Sequence, residues 1–334
     1  MRSHVIAVLL ILGIPLAWAA VASSVPTGEE DSYLGRWDIT ATGSPSGLPR
    51  NCWLELRRED GVVKGRFNQG GGAVFDLPQV AIEHDELRFQ YPQWKSGTPQ
   101  VWQGVLKGAT LSGTAHVDGA TLSWSGVRGP LWPATLPERK PGKPIDLFNG
   151  KDVSNWLCQD PHRPMGWFVK DGVLMNESRE ANNIYTKQKF NDFQLEVEFN
   201  ADPQSNSGVY LRGRYEIQIL DGYHRPLDVH SQGALYGFIV PAVKADKPAG
   251  EWQRFDITLI ANRVTVILNG TKIIDNGEVP GITGGALDAD EKAPGPILLQ
   301  GDHGRVQFRK VRITPLVWQS HAYQPNSPRP STSA

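Results

Sequence analysis

The segment Ser-Gly-Val-Tyr-Leu-Arg-Gly-Arg-Tyr-Glu-Ile-Gln-Ile-Leu-Asp, residues 207–221, decides the fold class of this chain. From Arg214 onward, polar and apolar side chains alternate strictly. The apolar set is Tyr215, Ile217 and Ile219, and the polar set is Arg214, Glu216 and Gln218. A period of two places each set on its own face of a β-strand. The segment therefore predicts a strand that packs one face on a core.

The polar face of this strand carries a guanidinium, a carboxylate and an amide in a row. Such groups donate and accept fixed hydrogen bonds, and a carboxylate also moves protons. The row suits recognition of a polyhydroxylated ligand. A solvated face with an incidental ion pair is the alternative, and the alternation alone leaves both open.

The N-terminus predicts a secretory signal peptide over residues 1–20. Arg2 and His4 precede the apolar run 5–17, and Ala17-Trp18-Ala19 offers small residues for cleavage. No later stretch approaches the ~20 apolar residues of a membrane-spanning helix. We therefore expect an exported protein, periplasmic or extracellular, that does not span the membrane.

The composition is that of a globular protein, with 40% apolar and 21% charged residues. The net charge of −1 gives no basic surface for nucleic acid. Eleven Trp suit sugar-binding surfaces, although Trp also fills β-sandwich cores. Two Cys exclude a disulfide scaffold. Cys52 and Cys158 could pair, or remain separate thiols.

Turn and strand signals divide the chain into two all-β domains. Residues 33–132 show short alternating strands separated by Gly-rich turns, which predicts a small barrel or sandwich. The opening Gly35-x-Trp37 resembles a lipocalin-like barrel. Residues 133–144 form a Pro-rich linker, and residues 317–334 a disordered tail. Because the linker is rich in Pro, we expect the two domains to fold separately.

The second domain, residues 145–316, carries nine or more strand signals and explicit hairpin turns such as Asn269-Gly270. No segment of ten or more residues holds a helical period without Gly or Pro. About 170 residues with this pattern predict a sandwich of two curved sheets.

Motifs spread across this domain resemble those of the 3-keto-disaccharide hydrolase domain family, which has a concanavalin A-like jelly-roll fold. They include Leu147-Phe-Asn-Gly-Lys-Asp152, Asn206-Ser-Gly-Val-Tyr-Leu-Arg-Gly213, Tyr215-Glu-Ile-Gln-Ile-Leu-Asp221, Gly233-Ala-Leu-Tyr-Gly237 and Gly295-Pro-Ile-Leu-Leu-Gln300. The family pattern runs Gln-Asp-His without interruption, whereas Gly301 here separates Gln300 from Asp302 and His303. This insertion could be a bulge that changes the direction of His303.

The resemblance implies cleavage of a 3-keto-glycoside through removal of the C2 proton, elimination at C1 and hydration. Such chemistry needs a base, a stabiliser of the enolate and an acid for the leaving oxygen. The candidate acids and bases are Glu216, Asp221 and His303, with Arg212 as the enolate clamp. The candidate substrate-binding residues are Gln218, Arg214, Tyr223, Tyr236, Trp252 and Gln300.

The resemblance also leaves room for a metal cofactor and implies a partner enzyme. A divalent cation could take the place of Arg212, with Glu216, Asp221 or His303 as a ligand. A separate sugar 3-oxidoreductase would supply the keto sugar, because no Gly-x-Gly-x-x-Gly follows a strand in this chain.

Other functional classes remain open. A two-carboxylate glycosidase is disfavoured. Such an enzyme needs an acid and a nucleophile that flank the bond, ~5–5.5 Å apart, whereas this strand face holds only one carboxylate. A non-catalytic, lectin-like carbohydrate-binding protein and an envelope scaffold that binds a partner are the alternatives, since fold alone does not fix function.

Overall fold

The computed structural model describes residues 30–92, 99–117, 119–136, 138–178 and 180–318. The predicted signal peptide and the tail beyond residue 318 lie outside the described residues. In the described part, one short 3₁₀ helix, Glu30–Tyr33, accompanies 23 strands. No helix there is both long and apolar enough to cross a membrane.

The first domain is a nine-stranded antiparallel sheet that curls into a barrel, with the order β4-β3-β2-β1-β9-β8-β7-β6-β5. Its strands are β1 Gly35–Thr42, β2 Arg50–Glu59, β3 Val62–Asn68, β4 Phe75–Asp76, β5 Val80–Glu83, β6 Glu86–Tyr91, β7 Gln100–Lys107, β8 Thr110–Val117 and β9 Ala120–Arg128. The two ends of the sheet meet at Gly65, where a Cβ would lie 3.0 Å from Val80. Alternate residues such as Trp37, Leu54 and Trp102 fill the interior.

The second domain is a sandwich of two sheets. The nine-stranded sheet runs β13-β14-β23-β16-β19-β20-β21, and β10 and β11 also pair with β23. The five-stranded sheet runs β12-β15-β22-β17-β18. The strand bounds are β10 Arg139–Pro141, β11 Ile145–Asp146, β12 Trp156–Cys158, β13 Trp167–Lys170, β14 Val173–Asn176, β15 Ile184–Thr186, β16 Asp192–Ala201, β17 Asn206–Leu211, β18 Tyr215–Leu220, β19 Gln253–Ile260, β20 Arg263–Leu268, β21 Thr271–Glu278, β22 Leu298–Leu299 and β23 Val306–Trp318.

The all-β prediction, with a small barrel followed by a jelly-roll sandwich, is confirmed. On β18, Tyr215, Ile217 and Ile219 point into the sandwich core as the alternation predicts. Residues 234–240 form no continuous strand, since only isolated bridges pair Leu235 with Ile217 and Ile239. Gly233 and Gly237 have positive φ, and these turns interrupt the extended backbone.

An extensive interface joins the barrel to the sandwich. Trp53 extends from β2 away from the barrel interior into the sandwich core, where its ring meets Phe238 edge-to-face at 5.4 Å. Asn51 donates from its amide to the carbonyl of Ala286, and Arg36 pairs with the buried Glu291. These contacts bury both polar and apolar surface between the domains.

The predicted linker is part of this assembly, because its residues 139–141 form β10 on β23. The two cysteines are free thiols: Cys52 lies in the barrel core, where burial raises its pKa to about 12, and Cys158 lies at the sandwich edge. The disulfide alternative is therefore not realised.

Candidate active site

A cleft of about 350 Å³ lies over the five-stranded sheet, where the barrel meets the sandwich. Its volume falls in the range typical of small-molecule sites. The sandwich contributes Gln159, Asp160, Arg163, Asn182, Asn183, Asn206, Tyr210, Glu216, Tyr236, Gly284, Gly285, Gln300, Asp302 and His303. The barrel contributes Leu48, Gly70, Gly71 and Gly72.

Two neighbouring strands place a carboxylate beside a phenol on the cleft floor. Tyr210 of β17 stands directly opposite Glu216 of β18 in the antiparallel ladder. Directly opposed residues project from the same face of a sheet. Both side chains are buried, at 2% and 3% exposure. The polar face of β18 is therefore covered by the rest of the fold, not solvated.

Gly208 makes room for the Glu216 side chain. A Cβ at position 208 would lie 2.3 Å from Oε1 of Glu216, closer than any real contact. Gln218, which lies opposite Gly208 in the ladder, also supports this carboxylate. In the amide orientation that satisfies its neighbours, its nitrogen donates to Glu216 Oε1 at 3.3 Å and to the Ser207 carbonyl at 2.9 Å.

Burial makes the Glu216 carboxyl group a weaker acid than an exposed glutamate. Desolvation raises its pKa to about 8, the Tyr210 hydroxyl partly offsets this rise, and the negative charge of Asp302 adds to it. The pKa of Tyr210 is raised well above its usual value by burial and by Glu216, so Tyr210 keeps its proton. The floor thus holds a carboxyl group poised to exchange a proton near neutral pH and a phenol that stays a donor.

Gln300 and Tyr210 form a hydrogen-bonded pair at the bottom of the cleft. Gln300 Nε2 donates to the Tyr210 hydroxyl at 3.3 Å, and that hydroxyl donates to the Gly284 carbonyl at 2.9 Å. Gln300 is 7% exposed, and its Oε1 has no hydrogen-bond partner among the described residues. A buried acceptor without a donor is costly, so this atom is suited to a ligand hydroxyl.

Asp302 and His303 form a second acid–base pair toward the cleft mouth. Asp302 Oδ1 lies 2.6 Å from His303 Nδ1, and Asp302 Oδ2 accepts from Asn183 Nδ2 at 3.3 Å. Gly301 does not remove His303 from the cleft. It lies where a Cβ would meet the Asn182 carbonyl at 2.5 Å, so only glycine fits there.

The segment that precedes Gly237 adds an edge beside β18. The amide N–H of Tyr236 donates to the Glu216 carbonyl, which aligns the Tyr236 side chain with the cleft. Its ring meets His230 at 5.1 Å, and burial raises the pKa of its hydroxyl. Of the predicted residues, Glu216, Tyr236, Gln300 and His303 thus line one cleft, with Gln218 directly behind Glu216.

The structure does not bring the predicted arginines into this cleft. Arg212 is buried, and it donates to the Asn191 carbonyl and to Asp192 Oδ1 at 3.0 Å. Arg214 donates to Asp288 Oδ1 at 2.6 Å. The proposed enolate clamp therefore requires correction, because both guanidinium groups are engaged in structural ion pairs.

Three further predicted residues also lie elsewhere. Asp221 accepts a hydrogen bond from the Gln204 amide N–H at 2.9 Å, as a turn-stabilising carboxylate does. Tyr223 is exposed and contacts His224. Trp252 lies under the Arg309 guanidinium, with 4.5 Å to the ring centroid.

Several residues of the cleft were not predicted from the sequence. Tyr210 had a usable signal, because Asn206, Gly208 and Tyr210 alternate with the buried Val209 and Leu211. Asp302 stood inside a recognised motif. Asn183 and the barrel residues 70–72 had none, since long-range folding alone brings them to the cleft.

The side chains of the cleft do not form a site for a divalent cation among the described residues. Among the described residues, no three His, Cys, Asp or Glu side chains gather at metal-binding distance. The nearest candidates, Asp302 and His303, pair with each other. Two ligands from one turn do not form the larger oxygen-rich shell that Ca²⁺ or Mg²⁺ takes.

The structure is a jelly-roll sandwich whose cleft brings together carboxyl, phenol, imidazole and amide groups, which defines a protein with a candidate acid–base site. Residues 143–314 match the 3-keto-alpha-glucoside-1,2-lyase-like domain, and the chain belongs to this family. A 3-keto-disaccharide hydrolase of Bacteroides thetaiotaomicron is 23% identical over 166 residues, which cover 39% of this chain. The chain spans 57% of the length of that relative.

Solved structures also resemble this chain. A protein of Parabacteroides distasonis assigned to the glycosyl hydrolases is 30% identical, with a TM-score of 0.44, over 56% of this chain and 94% of its own. A carbohydrate-binding module of Bacillus subtilis is 13% identical, with a TM-score of 0.34, over 47% of this chain and 94% of its own.

Proposed function

We propose that this protein cleaves 3-keto-glycosides by removing the C2 proton, eliminating the C1 substituent and adding water. The observation that carries the proposal is the buried Glu216, a carboxyl group with a pKa of about 8 on the floor of a polar cleft. Membership of the lyase-like family supports the same chemistry.

The reaction balances without a redox partner in the site. The C3 ketone makes the C2 proton acidic, so a base removes it and the electron pair moves to the C3 oxygen as an enolate. That pair then forms the C1=C2 bond as the C1–O bond breaks, and the leaving oxygen takes a proton. Water finally adds its hydroxyl to C1 and a proton to C2, which gives net hydrolysis.

Each role has a candidate in the cleft. Glu216 is the base, since its pKa lies near physiological pH, where a general base works best. Tyr210 keeps its proton, and when substrate binds its hydroxyl turns from the Gly284 carbonyl to donate to the developing enolate oxygen. The Asp302–His303 pair lies at the mouth and is the proton source for the leaving oxygen. Oε1 of Gln300, which has no hydrogen-bond partner within the described residues, binds a sugar hydroxyl.

Turnover in D₂O tests the mechanism. A 3-keto-glucoside should release 3-ketoglucose with deuterium at C2, and a glucoside with an unoxidised C3 should be inert because its C2 proton is not acidic. Free 3-ketoglucose incubated without enzyme controls for spontaneous exchange, and chelator is added in a parallel series. Rapid hydrolysis of the unoxidised glucoside with no deuterium at C2 would reject the elimination route.

Gly208→Ala is expected to lower kcat/KM by roughly 10- to 100-fold, because misplacing a catalytic group by about 1 Å has effects of this size. The new methyl group would lie 2.3 Å from Oε1 of Glu216 and so displaces the carboxylate. A double-mutant cycle checks the route: on a Glu216→Gln background, the same change should add little. An equal loss on both backgrounds would contradict a positioning role.

A non-catalytic carbohydrate-binding protein is the second candidate, because amides of Gln159, Asn182, Asn183, Asn206 and Gln300 also line the cleft. Such groups bind hydroxyls without proton transfer. Isothermal titration with an unoxidised disaccharide decides between the two. Tight binding with no turnover of any 3-keto-glycoside would favour the binding protein.

The proposal also covers the source of the 3-keto substrate and the compartment in which the enzyme works. An oxidoreductase that oxidises C3 of a glucoside would provide the substrate, and its addition should make an unoxidised disaccharide cleavable. Export would place the enzyme in the periplasm or outside the cell. N-terminal sequencing of the mature protein tests this, and a retained Met1 would contradict it.

A further inference from the structure

A glycine loop of the barrel, residues 70–72, lines part of the cleft over the sandwich. The family match begins at residue 143, so this loop lies outside the matched domain. Gly71 and Gly72 are exposed at the cleft mouth, whereas Glu216 and Tyr210 are buried at the floor. The cleft therefore has a floor built by one domain and a mouth built in part by the other.

The glycine loop is fixed, not loosely apposed. The Gly70 N–H donates to Asn68 Oδ1 at 2.9 Å, and the Gly70 carbonyl accepts from the Gly285 N–H at 3.1 Å. Gly284 packs so closely on the loop that a Cβ there would lie 2.5 Å from the Gly72 carbonyl oxygen. This close backbone packing holds the loop at a set height above the floor.

The loop also connects directly to the reacting groups. The Tyr210 hydroxyl donates to the Gly284 carbonyl, and Gly284 packs against Gly72. At the same floor, the buried Oε1 of Gln300 lacks a partner in the described part of the chain. A ligand that satisfies Gln300 and reaches Glu216 therefore occupies the floor, and anything attached to it extends toward the mouth.

We infer that the glycine loop and Leu48 form the subsite for the leaving group, so that the barrel selects which glycosides are cleaved. The inference rests on the proposed function. Glu216 has to reach C2, which places the keto ring on the floor, and the bond that breaks is on the adjacent C1. The leaving group then lies at the mouth, against the loop.

The chemistry of this subsite fits a second sugar ring. A Cβ at Gly71 would meet nothing within 4 Å, so the space beyond it is open. Exposed backbone groups of the loop can bind hydroxyls, while Leu48 offers a half-buried apolar edge for the C–H face of a ring. Absence of side chains on the loop leaves room for a bulky substituent.

Gly71→Trp tests the subsite, because Gly71 has no positive φ and accepts a side chain without backbone strain. The two substrates are a 3-keto-disaccharide and methyl 3-keto-glucoside, which differ in the leaving group. For the disaccharide, kcat/KM should fall by about tenfold or more, and for the methyl glycoside it should stay within about twofold. Val62→Trp, at the exposed first residue of β3, is the matched control, and it should affect neither substrate.

The outcomes separate the inference from the function on which it rests. Equal losses for the two substrates, no loss for either, or a larger loss for the methyl glycoside would overturn the leaving-group assignment. If Gly71→Trp lowers the Tm, the variants Gly71→Ala and Leu48→Trp replace it. The loss of kcat/KM for the disaccharide is then compared with the loss for the methyl glycoside in each of them. Wild-type protein that cleaves neither substrate would overturn the proposed function before any variant is compared.

Discussion

Glu216→Gln should lower turnover of a 3-keto-glucoside by about 10²–10⁴-fold, the usual contribution of a positioned general base. The amide keeps the shape of the carboxyl group but cannot accept the C2 proton. Substrate affinity should change far less than kcat, because the neighbouring hydrogen-bonding groups remain. Initial rates of 3-ketoglucose release measure the loss, and near wild-type turnover would exclude Glu216 as the base.

The pH dependence of activity provides an independent signature of this carboxyl group. The base form is ionised, and burial raises the pKa of Glu216 to about 8. The wild-type kcat/KM should therefore rise about tenfold per pH unit as the pH increases toward 8. A profile governed by a group near pH 4.5 would contradict the assignment.

The raised pKa of Glu216 also predicts how stability depends on pH. Stability should fall as pH rises, whereas activity should increase. Glu216 binds its proton more tightly in the folded protein than in the unfolded chain, where its pKa is near 4.5. The free energy of unfolding should thus decline as pH rises from about 4.5 to 8. The amide of the Glu216→Gln variant cannot ionise, so the variant should melt increasingly above wild type across this range while remaining inactive. Lower stability of the variant at pH 8 would contradict buried ionisation.

Trp53→Ala should lower the free energy of unfolding by about 3–5 kcal/mol, the usual cost of removing a fully buried large aromatic side chain. Trp53 belongs to the barrel strand β2 but is buried within the sandwich core. At Gly281, a Cβ would lie 2.1 Å from its Nε1, which shows how closely the domains pack there. Calorimetry should show one transition for wild type and two for the variant.

Trp102→Ala is the matched control, because Trp102 is equally buried but lies in the barrel core alone. It should destabilise the barrel without exposing the sandwich face at Trp53. Two separate transitions in wild-type protein, or easy proteolysis within residues 133–144, would instead support independent folding. The structure favours a shared unit, since the linker strand β10 is paired with β23.

The sequence by itself determined the fold class and part of the site. Strict alternation on residues 214–220 places Glu216 and Gln218 on one face, because successive residues of a strand point to opposite sides. The family motifs then predicted Tyr236, Gln300 and His303, which line the cleft with Glu216. These are local properties, so they can be deduced without knowing what packs on the strand.

The tertiary structure alone decided what covers that face and which charges stay available. Arg212 and Arg214 looked like ligands for a substrate, yet Asp192 and Asp288 engage them from distant positions in the chain. Glu216 acquires its high pKa from burial, which depends on loops and strands far away in sequence. The glycine loop reaches the cleft only because the barrel docks on the sandwich. Alternation fixes the direction of a side chain, whereas desolvation and ion pairing depend on contacts that only the folded chain creates.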